Sequence, residues 1–374
     1  MSDDPITRES ASDRVSRQAI LLLAHGSPDR VEDIPEYLRN VTGGRPLPEP
    51  IVREVEQRYR LIGRSPLTGI TLRLAEGVSR ESGLPVYVGM RNWRPYIGDT
   101  VRQMADDGVT HAVVICLAPH NSRTSVGLYA RALLATPPES APTRATAARA
   151  GEPPQAATAS PRQAPTTGFA SVASLPFTID FVESWHDHPL LIEAFAQRLR
   201  AGWQRACAEA GGRLPVIFTA HSVPLRTIAE GDPYQVQTRQ TAALVAASVP
   251  EMATGGWRFA FQSQGMSGGE WLGPTVEETI LGLKAAGQTG VFVQPIGFVC
   301  DHVEILYDVD IAFRRFAEKQ GLRLWRAESL NDSAAFIQAV AALAAGRLRN
   351  AQANSAPMCA PTASAGDPGD GRQP

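Results

Sequence analysis

The segment QPIGFVCDHVEILYDVD, residues Gln294–Asp310, predicts the end of a strand, a turn and then an acidic helix. The apolar run that leads into it, Val291–Val293, is typical of a buried strand. Pro295 and Gly297 follow this run and end it, because both residues favour turns. The segment therefore predicts a strand-turn-helix unit, and such units build parallel sheets covered by helices.

Three carboxylates follow the turn, namely Asp301, Glu304 and Asp308. On a regular helix, residues three and seven positions apart share one face, so we expect these side chains to form a single stripe. Their mutual repulsion must be offset by a cation or a proton, or by full solvation. The alternative is a capping box without chemistry, in which Asp301 is the N-cap and Glu304 the reciprocal residue.

Composition limits the class of protein. The chain has 374 residues, 43% of them hydrophobic, which suits one large or two medium domains. A net charge of −2 gives no basic footprint for nucleic acid, and no apolar run is long enough to span a membrane. The four cysteines are far apart and form no CxxC pair, which favours reduced thiols and predicts a cytoplasmic protein.

Short apolar runs alternate with longer amphipathic ones, which is typical of an α/β protein with parallel strands. Helices are predicted at 189–210, 233–247 and 276–286. Strands are predicted at 19–24, 86–90, 113–118, 177–182, 216–220, 259–262 and 291–294. Residues 136–174 and about 350–374 are rich in Ala, Pro, Thr and Ser, and we expect the first to be a flexible insertion and the second a disordered tail.

A short internal repeat places one histidine at the end of the first strand of each half. LAHGSP, residues Leu23–Pro28, and TAHSVP, residues Thr219–Pro224, each end an apolar run with Ala-His and a proline three positions later. Open parallel sheets bind ligands at the carboxyl ends of their strands, so His25 and His221 are predicted to share a cleft. The alternative is a chance repeat in which both imidazoles cap loops.

Histidine and carboxylate ligands suit first-row divalent ions such as Fe²⁺, and both groups accept protons near neutral pH. The sequence has no ligand set at zinc-finger spacing, no GxGxxG after the first strand and no GxxxxGK[ST]. Structural zinc, dinucleotide and P-loop sites are therefore not expected.

Several long motifs in a fixed order resemble the ferrochelatase family over about residues 20–348. The motifs are LLLAHGSP (21–28) with VEDI (31–34) and YLRN (37–40), RY at 58–59 followed by GRSPL (63–67), LAPHNSRTSVGLY (117–129), FVESWHDHP (181–189), TAHSVP (219–224) with GDPY (231–234), FQSQGMSGGEWLGP (261–274) and PIGFVCDHVEILYDVD (295–310). Their combination, rather than any one of them, carries the resemblance.

The resemblance implies insertion of Fe²⁺ into a porphyrin, protoporphyrin IX or coproporphyrin III, in haem biosynthesis, with release of two protons. It also implies two Rossmann-like domains with the substrate cleft between them. We therefore expect a tail at 1–17, an N-terminal domain at 18–180, a C-terminal domain at 181–324, a helical region at 325–349 that packs back on the N-terminal domain, and a tail at 350–374.

By the same resemblance, His221 and Glu304 are the catalytic residues and metal ligands, and Asp301 and Asp308 form a path for protons or iron. His25 stands where soluble coproporphyrin-type members have a tyrosine ligand, and it is the expected ligand on the other face of the iron. The predicted porphyrin-binding residues are Arg58, Tyr59, Ser65, Tyr129, Tyr234 and Trp271.

The chain also departs from the family pattern. Thr42 replaces an arginine that coproporphyrin-type members have after the first loop, although Arg45 is close by. Only Cys359 lies in the tail, so no iron–sulfur cluster and no permanently bound cofactor are expected. The region 37–50 is not notably apolar, so at most peripheral membrane contact is predicted.

The expected partners are the porphyrin, ferrous iron and, transiently, neighbouring enzymes of the haem pathway. Two alternatives stay open from the sequence. One is a sirohydrochlorin-type chelatase, and the other is a porphyrin or haem carrier without catalysis.

Overall fold

The computed structural model describes residues 17–135, 175–252, 256–264 and 269–355, and these residues build two parallel sheets of four strands each. The first sheet has the order β2-β1-β3-β4 and the second the order β6-β5-β7-β8. The strands are β1 Gln18–Ala24, β2 Val86–Met90, β3 His111–Cys116, β4 Thr178–Val182, β5 Val216–His221, β6 Trp257–Gln262, β7 Gly290–Pro295 and β8 Arg323–Arg326.

Helices connect the strands, as parallel pairing requires. They are α1 Ile34–Val41, α2 Glu49–Ile62, α3 Leu67–Ser82, α4 Ile97–Asp106, α5 Val126–Leu134, α6 Pro189–Ala210, α7 Leu225–Ala229, α8 Tyr234–Ala247, α9 Val276–Ala285, α10 Val303–Leu306, α11 Arg314–Lys319 and α12 Ala334–Ser355. A π-helix, Asp308–Phe313, lies between α10 and α11. Within the described residues, no helix is long and apolar enough to cross a bilayer.

Strand β1 shows why the sheets are covered on both faces. Ile20 and Leu22 point into one apolar cluster, whereas Leu21 and Leu23 point into another. All four side chains are fully buried, which explains why the sequence is continuously apolar here and not alternating. The predicted α/β class, with two sheets flanked by helices, is confirmed.

Helix α12 joins the two halves by packing on α3 of the first and α6 of the second. Gly77 allows the close approach, because a Cβ there would lie 2.4 Å from Cδ1 of Ile337. Further along the helix, Arg347 pairs with Asp180 of β4.

Most of the predicted strands and helices are confirmed within a few residues, but β8 was missed. Its sequence, RLWR, carries arginines on both sides of two apolar residues and gives little periodic signal. The predicted domain boundaries at 180/181 and 324/325 fall inside β4 and β8, and the division into domains stays a prediction.

The predicted insertion at 136–174 lies outside the described residues, as does the tail at 1–17 apart from Arg17. The backbone N–H of Arg17 donates to the Thr110 hydroxyl at 2.9 Å. The tail predicted from residue 350 begins too early, because α12 continues to Ser355. This stretch contains Ala351 and Ala353, and alanine favours a helix as readily as it fills a low-complexity segment.

Candidate active site

A cavity of about 330 Å³ lies between the two sheets, where the carboxyl ends of β1 and β5 face each other. Residues from both halves line it, including His25 after β1 and His221 at the end of β5. The structure therefore places these two histidines in one cleft, as the internal repeat predicted. The residues that line it include six with aromatic side chains, Tyr37, Tyr59, Tyr129, Tyr234, Trp271 and Phe298.

His221 faces Glu304 across the second half of the cavity, with 3.5 Å between Nε2 and Oε1. The Nδ1–H of His221 donates to the backbone carbonyl of Ser222. A carbonyl only accepts, so this contact puts a proton on Nδ1 and leaves Nε2 to face the carboxylate.

His302 stands on the other side of the same carboxylate, with 3.5 Å between Nε2 and Oε2 of Glu304. Its Nδ1–H donates to the carbonyl of Cys300 at 3.0 Å. Glu304 therefore lies between two Nε2 atoms whose opposite ring nitrogens are tied to the backbone. Three acceptors so close together need a shared proton or cation.

The charges of this group follow from its contacts. Burial alone would raise the pKa of Glu304, but His221 and His302 together lower that pKa well below its usual range. Burial alone would lower the pKa of His221, yet Glu304 and the Ser222 carbonyl raise it above the usual value. Glu304 is consequently ionised, and its charge stabilises a proton on His221.

The pKa of His25, in the first half, is shifted in the opposite direction to that of His221. Burial and the nearby Arg91 guanidinium lower its pKa to about 4, so its imidazole is neutral at pH 7. Its Nε2 lies 3.1 Å from the Tyr37 hydroxyl. A neutral imidazole offers a lone pair to a metal, which is the requirement for a ligand on this side.

The predicted carboxylate stripe on one regular helix is wrong. Only one α-helical turn, α10, is present at this point, and the chain then widens into the π-helix. The N-cap of α10 is His302 and not Asp301, so the predicted capping box is also absent. A seven-residue spacing no longer places side chains on one face when the turn changes from α to π geometry.

Asp301 and Asp308 consequently have different surroundings. Asp301 accepts from the Ser329 hydroxyl at 2.6 Å and the Asn331 amide at 2.8 Å, and it lies 3.4 Å from Arg326. Its chain neighbours Cys300 and His302 line the cavity, but Asp301 does not. The structure thus places Asp301 in a structural network behind the site.

Asp308 is 8% exposed and begins the π-helix. Burial and Glu304 raise its pKa, while the Ser263 hydroxyl and Arg58 oppose that shift. The charge of Glu304 therefore affects the pKa of Asp308, and this coupling is the property that a proton-relay residue needs.

The predicted porphyrin-binding residues divide into two groups. Tyr59, Tyr129, Tyr234 and Trp271 line the cavity. Arg58 and Ser65 do not line it. Arg58 pairs with Glu54 at 2.6 Å, lies 3.6 Å from Asp308 and covers the Tyr307 ring.

Sequence reasoning missed His302, His120, Arg91, Tyr37 and Phe298, all of which line the cavity. His302 and Phe298 lie within the opening segment, and His120 lies in LAPHNSRTSVGLY, so the motifs contained the signal. Tyr37 lies in the YLRN motif (37–40) but was not assigned to the site. Arg91 lies outside the motifs, and only the fold brings it to the site.

Comparison with known proteins adds to this geometry. The family model described as ferrochelatase matches residues 17–147 and 153–348. The chain is 49% identical over 355 residues to a ferrochelatase of Acidobacterium capsulatum, an alignment that covers 91% of this chain and 98% of the relative. It is 32% identical over 344 residues to the coproporphyrin III ferrochelatase of Geobacillus sp. strain WCH70, covering 89% and 98% respectively.

Among solved structures, a sirohydrochlorin chelatase of Bacillus subtilis subspecies spizizenii in complex with cobalt aligns with a TM-score of 0.47 and 11% identity. The alignment covers 90% of this chain and 97% of that one.

Proposed function

Since the chain belongs to the ferrochelatase family, it inserts ferrous iron into a porphyrin, and we propose that insertion takes place between His25 and the His221–Glu304 pair. The observation that supports this assignment is the Glu304 carboxylate, with an imidazole Nε2 at 3.5 Å from each oxygen. Nitrogen and carboxylate donors together suit Fe²⁺.

Two pyrrole protons must leave a free-base porphyrin as the metal enters. In our proposal, the proton held between His221 and Glu304 first leaves through Asp308. The Nε2 atoms of His221 and His302 then accept the pyrrole protons, because their Nδ1–H groups are already committed to carbonyls. Glu304 stabilises the resulting imidazolium charges. Asp308, half a turn beyond α10, passes protons or iron towards the surface, whereas Asp301 holds the loop behind the site.

On the opposite side of the ring, the neutral His25 is the proposed second ligand. Aromatic walls from both halves hold the macrocycle, and they favour the bent ring whose nitrogens present their lone pairs. Tyr59, Tyr129, Tyr234 and Trp271 form these walls in the proposal. Arg58 and Ser65 do not line the cavity, so they remain candidate porphyrin-binding residues only for a substrate whose side chains reach beyond it.

The remaining expectations also stay proposals. The enzyme carries no permanent cofactor and no iron–sulfur cluster, touches a membrane peripherally at most, has no nucleic-acid partner and meets other haem-pathway enzymes only transiently. Support for a cytoplasmic location comes from Cys116 and Cys300, which are free thiols packed in the core.

The test is anaerobic Fe²⁺ insertion followed by absorbance, with protoporphyrin IX and coproporphyrin III offered in parallel. Faster turnover of one porphyrin assigns the substrate. His221→Ala and Glu304→Gln are each expected to lower kcat by at least about 100-fold while porphyrin still binds. His111→Ala is the matched control, since His111 begins β3 at the opposite end of the sheet and should keep full activity.

Near-normal turnover in either site variant would show that the reaction centre has been misplaced. Porphyrin bound without turnover by the wild-type protein would instead identify a carrier.

A further inference from the structure

Gln262 lies directly behind the reacting pair without lining the cavity. It is the last residue of β6 and pairs in register with His221 on β5. Its side chain is part of the interior, since the residue is 2% exposed. A buried polar side chain must form its hydrogen bonds with protein groups. The contacts of Gln262 therefore show which elements it holds together.

The side-chain amide of Gln262 joins two elements. Its Nε2 donates to the backbone carbonyl of Glu304 at 3.0 Å, and its Oε1 accepts from the Thr219 hydroxyl at 2.7 Å. The orientation of the amide is fixed by these partners, because a carbonyl cannot donate to Oε1. Thr219 is fully buried on β5, two residues before His221.

The main chain of Gln262 reaches the other member of the pair. Its carbonyl accepts from the N–H of Ser222 at 2.7 Å. The carbonyl of Ser222 in turn accepts the Nδ1–H of His221. One residue therefore supports the imidazole through the main chain and the carboxylate segment through its side chain.

The Glu304 segment needs such support. Helix α10 is a single turn, and the π-helix that follows begins at Asp308. The regular pattern of α-helical hydrogen bonds is interrupted there, so the backbone at Glu304 gains less from its own helix than it would in a long one. The Gln262 amide supplies a donor from a rigid strand instead.

We infer that Gln262 is a positioning residue that sets the spacing between His221 and Glu304, and that Thr219 holds the Gln262 amide in place. The inference rests on the proposed function of that pair. Displacements of about 1 Å at a reacting centre cost on the order of 100-fold in rate, so a lost tether should be visible in kcat.

The test uses four variants of the full chain. Gln262→Met keeps the length of the side chain and removes both the donor and the acceptor of the amide. Thr219→Val keeps the shape and removes the hydroxyl, whereas Thr219→Ser keeps the hydroxyl and is the matched control. The fourth variant combines Gln262→Met with Thr219→Val. Each is measured for kcat and KM of iron insertion, for free-base porphyrin affinity and for Tm.

Gln262→Met is expected to lower kcat by about 10- to 100-fold, with the porphyrin Kd within about twofold of wild type. Thr219→Val should lower kcat less, and Thr219→Ser should restore most of it. The combined variant should be no slower than Gln262→Met alone, because Thr219 acts through the amide.

A folded Gln262→Met protein with kcat within twofold of wild type would overturn the inference. So would a parallel loss of porphyrin binding, or effects of the two substitutions that simply multiply. If Gln262→Met does not fold, the Thr219→Val and Thr219→Ser pair decides alone. A wild-type protein that inserts no iron would refute the proposed function itself, which separates the two failures.

Discussion

The proton positions on two imidazoles determine what the Glu304 carboxylate can hold. Both His221 and His302 give their Nδ1–H to a backbone carbonyl, and both turn Nε2 towards Glu304. A metal ion entering between them would replace the proton that now offsets the charge of the carboxylate. Under the proposed function, metal entry and proton release would be coupled at this carboxylate, because the same donor atoms would serve both cations.

The two neighbouring aspartates should differ in their effect on the reaction. Asp308→Asn is expected to lower kcat by at least about tenfold, since the amide keeps the shape but cannot carry a proton. Asp301→Asn should leave kcat within about twofold. Its effect should appear as a loss of about 1–3 kcal/mol in the free energy of unfolding, because Arg326 and Ser329 lose a charged partner.

Steady-state kinetics and chemical denaturation of the two variants make this comparison. Because the substitution is the same in both, each variant is the control for the other. Equal losses of kcat in the two variants would instead support the original prediction that Asp301 and Asp308 form one path for protons or iron.

At this scale, sequence reasoning found His25, His221 and Glu304 through their positions after strands and within motifs. It could not find Tyr37, which contacts His25 from α1. Nor could it separate Asp301 from Asp308, because their difference depends on hydrogen bonds to Ser329 and Ser263, which are distant in the chain.

Among the elements, the segment after β7 departs most from its predicted form. Alternation and apolar runs identified β7 and α9 correctly, since these elements are regular and well buried. The change from α10 to the π-helix has no periodic signature over so few residues. Regular elements are therefore predictable here, whereas the irregular element that begins with the Glu304 turn is not.

Gly297 lies where the segment after β7 packs closely against β5. A Cβ at Gly297 would lie 2.7 Å from both Cα and Cβ of Ala220, the residue before His221. Gly297→Ala should therefore displace the end of β5, lowering the free energy of unfolding by about 1–3 kcal/mol and reducing kcat.

Gly282→Ala is the matched control for this change. Gly282 lies within α9 with nothing within 4 Å of an added Cβ, so alanine there should raise stability by about 0.5–1 kcal/mol. Thermal unfolding and iron insertion are measured for both. A Gly297→Ala protein as stable and active as the Gly282→Ala protein would mean that β5 accommodates the extra methyl group.

In the whole molecule, the two halves meet through buried polar contacts as well as through α12. The backbone N–H of Asn121 donates to Gln237 of α8 at 2.6 Å, and that of Arg123 donates to Asp232 at 2.8 Å. The internal repeat predicted two similar halves with a shared cleft. The contacts that fix their separation involve residue pairs more than a hundred positions apart, which no local pattern reveals.

His120 belongs to this contact region and makes it sensitive to acid. Its Nε2 lies 2.9 Å from the Thr241 hydroxyl, whose own proton goes to the carbonyl of His186 at 2.8 Å. His120 therefore donates from Nε2 as a neutral ring. Burial, with a smaller effect from His186, lowers its pKa to about 3.

This depressed pKa predicts how stability changes with pH. In the unfolded chain His120 takes up a proton below about pH 6.5, whereas in the folded protein it stays neutral until about pH 3. The unfolded state thus binds more protons in this window, and stability falls as the pH is lowered through it.

His120→Gln keeps an N–H donor for Thr241 but cannot titrate. Between pH 7 and pH 5, chemical denaturation should therefore show the wild type losing about 2 kcal/mol more than the variant. Other acid-sensitive groups, such as His25, are present in both proteins and cancel in this difference. Parallel stability profiles for the two proteins would mean that His120 takes up its proton over the same pH range in the folded protein as in the unfolded chain, and its contact with Thr241 would then need a different hydrogen-bond assignment.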